Sequence, residues 1–132
     1  MPSPEPPSGV QDPRGLLVST ALSMRGHPYR FGGSTPSGFD CSGLVAYAAQ
    51  GAGIPVPRTA ADQWKAGVAV EREALQAGDL VFMRLNRELH VGIMTGPDSF
   101  VHAPSSGGQV RIDLLDSRPY RKGFIGGRRI AP

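Results

Sequence analysis

Cys41, His90 and His102 are the residues whose types and spacing could do chemistry. Cys41 is the sole cysteine of the chain and lies in "FDCSGLV", where a loop of glycine, serine and proline gives way to an apolar, helix-like run. A thiol in the first turn of a helix feels the positive end of the peptide dipoles, which favours thiolate, and thiolate is the nucleophile. The unpaired backbone N–H groups there can also hold an oxyanion as it forms on an attacked carbonyl. Gly43 leaves the space beside the sulfur free of a side chain, and Gly32 and Gly33 let the preceding loop fold close. The expectation is a thiol with a lowered pKa. Taken alone, Cys41 is equally compatible with a buried structural cysteine.

A catalytic thiol needs a base, and the base needs a group that orients its ring. The chain holds three histidines. His90 opens "HVGIM" and His102 lies in "SFVHAP", two β-rich runs joined by the turn signal "TGPDS". Strands with so short a connection are neighbours, and a residue near the start of one can meet a residue near the end of the next. His27, in "RGHP", reads as a favourable cation at a helix C-terminus. Each strand histidine alone reads as a satisfied imidazole; three reactive side chains at the ends of consistent elements read otherwise. No histidine–carboxylate spacing matches a zinc site, so no metal and no cofactor is expected. A single cysteine excludes an internal disulfide framework and cysteine-rich zinc sites.

The elements that must position these residues are punctuated in the sequence. Residues 1–11 are rich in proline and serine and read as a flexible lead-in, with one catalytic domain over residues 12–132. Asp12 can cap a helix with Pro13 in its first position; Leu16, Leu17, Ala21 and Leu22 form its apolar stripe, and Gly26 ends it. A second helix starts at Asp40 or Cys41, buries Leu44, Val45 and Ala48, and stops near Gln50 with Gly51 beyond its end. Thr59 can cap a short third helix, with Asp62 three residues on. Then "GDLVFM", "HVGIMT", "SFVHAP", "QVRIDL" and "FIGGRRI" follow as short strands between turns. Helices first and hairpin-spaced strands after give an α+β fold, with N-terminal helices packed on an antiparallel β-sheet.

Bulk properties narrow the function classes. The chain has 132 residues, enough for one domain with a modest core, and 18 glycines and 13 prolines, which favour turns over a helical bundle. The net charge of +3 is uneven: "RPYRKGFIGGRR" holds Arg118, Arg121, Lys122, Arg128 and Arg129 with no acid. Such a run is a solvated face or a patch for an anionic polymer. It lacks an arginine-rich helix, zinc-finger spacing or an aromatic–glycine RNA motif, so nucleic acid is not the expected partner. No apolar run is long enough to span a bilayer. The start, "MPSPEPPSGVQDPR", shows no apolar signal region, so the chain is cytosolic, trimmed, or exported by a route that needs no such signal.

The blocks "YRFGG", "FDCSGLV", "PRTAADQ", "GDLVFM", "HVGIM" and "FVHAP", in this order, resemble the NlpC/P60 family of papain-like cysteine peptidases across about Leu16 to Ile130. The resemblance implies an α+β papain-like fold and hydrolysis of amide bonds in bacterial peptidoglycan stem peptides. It matches Cys41 to the nucleophile, His90 to the base and His102 to the polar residue that orients His90. It matches Tyr29 to a tyrosine near the nucleophile, places Asp40 and Ser42 where stem peptides are bound, and puts Arg58 and Gln63 on a loop near the site. Met83 and Met94 depart from the family pattern at positions where an aromatic is common, which points to a reshaped pocket wall.

The implied bond is D-glutamyl to diaminopimelate, with the D-alanyl–diaminopimelate crosslink as the alternative. The implied site of action is periplasmic or extracellular. Two biological roles fit: a housekeeping wall hydrolase, or a type VI secreted antibacterial toxin whose producer keeps an immunity protein as partner. The rival from another class is a non-catalytic wall-binding module, against which all three catalytic positions hold competent residues.

Overall fold

The computed structural model describes residues 12–105 and 108–131 of the chain. The lead-in expected over residues 1–11 lies outside the described residues. Helix α1, Pro13–Ser23, begins where the sequence places it: the Asp12 carboxylate accepts from the Gly15 N–H at 2.7 Å, and Pro13 fills the first turn, where a missing N–H is harmless. Gly26 follows with φ +90, a conformation a side chain resists. Two-residue strands β1 (Ser34–Thr35) and β2 (Gly38–Phe39) pair across a tight turn just before α2, Cys41–Gly51. Gly51 was expected beyond the end of α2 but is its last residue; Gly53, at φ +71, makes the left-handed exit. Helix α3, Ala60–Gln63, is capped by Thr59, which accepts from the Asp62 N–H at 3.3 Å.

The sheet has six antiparallel strands: β3 (Val68–Val70), β4 (Leu80–Leu85), β5 (Glu88–Met94), β6 (Ser99–His102), β7 (Arg111–Leu114) and β8 (Phe124–Arg129), in the order β3-β8-β4-β5-β6-β7. Asn86 and Arg87, both at positive φ (51 and 70), close the β4–β5 hairpin as a two-residue turn whose twist matches the strands. The sequence reading missed β3, the pair β1–β2 and helix α4, Arg118–Gly123. Their apolar periodicity is too short to register, and tertiary contacts hold them.

Period-two alternation sorts the sheet's side chains. Leu80, Phe82, Val91, Ile93 and Val101 face α1 and α2, where Leu17, Ala21, Leu44, Val45 and Ala48 complete one core. Val81, Met83, Met94 and Phe100 face the other way, under Leu75, Leu115 and Tyr120 of α4. Burying a leucine such as Leu17 or Leu44 contributes about 1.5–3 kcal/mol, against about 1 kcal/mol for a cap, so packing and not capping fixes α2 on the sheet. Met83 and Met94 are fully buried in the second core. The reshaped pocket wall expected of them is therefore absent: both fill the layer behind the sheet.

An ion cluster around a buried carboxylate ties α1 to β8. Asp79, fully buried, accepts from Arg129 Nε and Nη2 at 2.8 Å each and lies 3.3 Å from Arg14. Burial pushes its carboxyl pKa up, but the Arg129 hydrogen bonds, the Gln76 N–H and the Arg14 charge outweigh burial and hold it below the usual value.

Candidate active site

Cys41 is the first residue of α2, whose cap, Asp40, accepts from the Gly43 N–H at 2.6 Å. This fold needs a glycine at position 43 for close approach: a Cβ there would overlap the Gly33 carbonyl oxygen and meet the Asp40 carboxylate at 2.8 Å. Gly43 therefore admits the loop before the helix and does not, as expected, clear space beside the sulfur. The thiol is half-buried and shares with Tyr29 and His90 a cleft of about 580 Å³.

The electrostatics reverse one expectation. Burial pushes the Cys41 thiol pKa up and the neighbouring Asp40 charge adds to that; hydrogen bonds from the N–H groups of Val91, Ser42 and Cys41 itself pull it down without cancelling the rise. His90, nearly buried, is pushed from its ordinary 6.5 to about 3 by burial and then by His102. Between pH 3 and the raised thiol value the pair rests as a thiol beside a neutral imidazole. The lone pair on that imidazole is what a general base requires. Iodoacetamide should accordingly alkylate Cys41 slowly at neutral pH and accelerate only above about pH 8.5, the range of an ordinary thiol. A rate already level by pH 7 would show a resting thiolate–imidazolium pair instead.

His90 and His102 meet as the hairpin spacing requires: His90 Nε2 and His102 Nδ1 are 2.7 Å apart, with the rings edge-to-face. Both alternate with the core residues Val91 and Val101, and His102 is fully buried between Phe100 and Tyr120 at ring-centroid distances of 4.4 and 5.4 Å. Gly92 leaves this space open; a Cβ there would meet the Phe100 ring at 2.7 Å and His102 Cβ at 3.1 Å. Burial lowers the His102 pKa, against the raising effect of Asp113.

Three further polar residues stand behind the histidines, and sequence reasoning missed them. Asp113 Oδ2 lies 2.7 Å from His102 Nε2 and accepts from Arg111 Nε at 2.8 Å and from the Tyr120 hydroxyl at 3.1 Å. The β6–β7 register pairs His102 with Arg111 and Phe100 with Asp113, so Arg111 and Asp113 share the histidines' face. The signal available was the alternation of Arg111 and Asp113 with Ile112 and Leu114. It reads in the wrong sense, because on this edge strand the apolar pair is outside, with Leu114 60% exposed.

The remaining predicted residues form a second group beside Cys41. Arg58 donates to Ser42 Oγ at 2.9 Å, to Asp40 Oδ2 at 3.1 Å and to the Gly33 carbonyl at 3.3 Å. Asp40, Ser42 and Arg58 are thus bound to one another, while Tyr29 lines the cleft itself. Burial, then the charges of Asp40, Cys41 and Glu88, raise the Tyr29 pKa and keep its hydroxyl a donor. Gln63 is fully buried and donates to the carbonyls of Ser42 and Pro57 at 3.2 and 2.8 Å, which makes it a strut between α3 and the start of α2. His27 Nδ1 lies 2.8 Å from the Pro36 carbonyl, which can only accept, so that nitrogen carries a proton and ties down the β1–β2 turn. Among the described residues, no group of three or more His, Cys, Asp or Glu side chains is gathered as a metal ion would require, and no helix is long and apolar enough to cross a membrane.

Helices carrying a thiol at an N-terminus, packed on an antiparallel sheet that carries paired histidines, define an α+β protein of papain-like fold. The chain belongs to the NlpC/P60 family, whose model matches residues 26–129. It is 36% identical over 128 residues to the murein DD-endopeptidase MepH of Escherichia coli, covering 92% of this chain and 47% of that protein. It is 37% identical over 122 residues to the gamma-DL-glutamyl hydrolase of Bacillus subtilis, covering 88% of this chain and 30% of that protein. The chain thus spans less than half the length of these relatives. Among solved structures, an NlpC/P60 family protein from Bacillus cereus superposes with a TM-score of 0.84 at 33% identity, over 90% of this chain and 40% of that one.

Proposed function

We propose that this chain is a cysteine peptidase that hydrolyses amide bonds in bacterial peptidoglycan stem peptides. The observation that carries the reading is the placement of Cys41 and His90 at one cleft, with His102 buried behind His90 and hydrogen-bonded to it, and with burial lowering the pKa of both imidazoles. Cys41 loses its proton to His90 and attacks the carbonyl carbon. The oxyanion meets the N–H groups at the start of α2 and the Tyr29 hydroxyl. His90 then returns the proton to the leaving amine, and a water attacks the thioester with His90 again as base. Asp40, Ser42 and Arg58 bind the stem peptide on the other side of the nucleophile, where a half-exposed carboxylate–guanidinium pair suits a peptide that carries both charges.

D-glutamyl–diaminopimelate is the preferred bond, in line with the glutamyl hydrolase among the relatives; the DD-endopeptidase among them supports the D-alanyl crosslink as the second reading. Digestion of purified diaminopimelate-type peptidoglycan, with products identified by mass, decides. Fragments that end at D-glutamate support the first bond, fragments opened at the crosslink the second, and an undigested polymer removes the peptidase reading. The site of action is then periplasmic or extracellular.

The basic run divides. Arg129 is bound to Asp79, and Arg128 stacks on Trp64 at 3.8 Å, so neither is free for a polymer. Arg118, Arg121 and Lys122 are exposed on α4, and Lys122 borders the cleft. Reversing these three charges should weaken sedimentation with isolated cell walls and flatten its dependence on salt. Unchanged binding would return them to a solvated surface.

A further inference from the structure

We propose that Asp113 is a positioning residue for the reaction: through His102 it sets the tautomer of His90, so that His90 presents a bare Nδ1 to Cys41. The inference rests on the peptidase reading for its purpose, but its geometry stands independently. Asp113 accepts from Arg111 and Tyr120 on the same oxygen that meets His102, and it is a quarter exposed. The guanidinium of Arg111 keeps it ionised, and an ionised carboxylate can only accept. His102 Nε2 must therefore carry a hydrogen and donate to Asp113 at 2.7 Å.

His102 is held neutral by burial, and a neutral imidazole with a hydrogen on Nε2 has none on Nδ1. At 2.7 Å from His90, His102 Nδ1 is therefore the acceptor, and His90 Nε2 is the donor. The same rule applied to His90 leaves its Nδ1 unprotonated. That nitrogen is the only one remaining for the thiol with which His90 shares the cleft. The chain of two hydrogen bonds has a single consistent direction, and the carboxylate at its far end selects it.

The consequence for the chemical step follows. When Cys41 gives up its proton, the S–H bond breaks and an N–H bond forms at His90 Nδ1, leaving thiolate and imidazolium. No proton moves at Nε2 or through His102. The new positive charge sits at the head of a row of donors that ends on Asp113, and the negative end of that row favours it. Without the carboxylate, His102 is free to place its hydrogen on Nδ1 and donate to His90 Nε2. His90 then carries its own hydrogen on Nδ1, and the base is lost. The charged and titratable groups facing Asp113 are Arg111 on its own strand, His102 on β6 and Tyr120 on α4.

The test reads the imidazole nitrogens directly. In ¹⁵N–¹H correlation spectra of the wild-type protein near pH 7, His90 and His102 should both show protonated Nε2 and unprotonated Nδ1. A wild-type His90 with its hydrogen on Nδ1 overturns the proposal without any variant being made. Asp113→Ala should convert one or both rings to the other tautomer or to a mixture, and should lower kcat on a soluble muropeptide at least ~10-fold with KM little changed. Asp113→Glu should restore the wild-type nitrogen pattern. Asp116→Ala, a nearby surface carboxylate paired with Arg72, should alter neither readout. A folded Asp113→Ala that keeps both tautomers and its kcat overturns the proposal. A wild-type protein that shows the expected nitrogens but leaves muropeptides uncut overturns the substrate reading instead.

Discussion

Cys41→Ala and His90→Ala should each remove turnover of a soluble muropeptide by about 10⁴-fold or more, and the double variant should be no slower than either one. On the proposed mechanism the nucleophile and its base are one device. His90 is neutral and Cys41 rests as a thiol, so attack requires the proton transfer between them. Removing either end removes that step whole, and the second deletion has nothing left to take away. Both variants should keep the wild-type fold, since Cys41 is half-buried at a helix end and His90 opens at the cleft. A folded His90→Ala retaining more than about a hundredth of the rate would mean that another group activates the thiol.

His102→Ala should lower the rate by about 10²-fold, and His102→Asn should recover part of it. His102 never reaches the reacting atoms; it holds His90 through Nε2, and the Asn side-chain oxygen can accept the same hydrogen bond. The alanine variant should also be less stable by about 3 kcal/mol in urea denaturation. It empties a fully buried space between Phe100 and Tyr120 and deprives Asp113 of a donor. His27→Ala is the control: its ring binds a loop carbonyl away from the cleft, and turnover should be unchanged. Equal rates in His102→Ala and wild type, or a dead and folded His27→Ala, would assign the pairing to the wrong histidine.

Much of this arrangement is legible in the chain itself, for local reasons. Asp12, Pro13 and Thr59 mark helix starts because the capping chemistry is contained within four residues. Asp40 does the same for α2 and so places Cys41 in its first turn. Alternation and turn residues delimit β4 to β8, and the short β5–β6 connection alone brings His90 toward His102. Proposing Cys41 as nucleophile, His90 as base and His102 as orienting residue needs no more than the types and order of residues along these elements.

What the sequence left undetermined depends on distances between segments far apart in the chain. The thiol pKa was expected to fall, because a helix N-terminus is a local field; it rises, because burial is a property of everything packed around the sulfur. Arg128 and Arg129 look like the rest of the basic tail until the sheet brings Trp64 and Asp79 against them. Met83 and Met94 look like pocket residues until both faces of the sheet are seen to be covered. Asp113 is the clearest case. Its strand carries apolar residues at alternate positions, and alternation states only that two faces differ, not which one is buried. The register of β7 against β6 turns the polar face inward, and only then does a carboxylate stand 2.7 Å behind the second histidine.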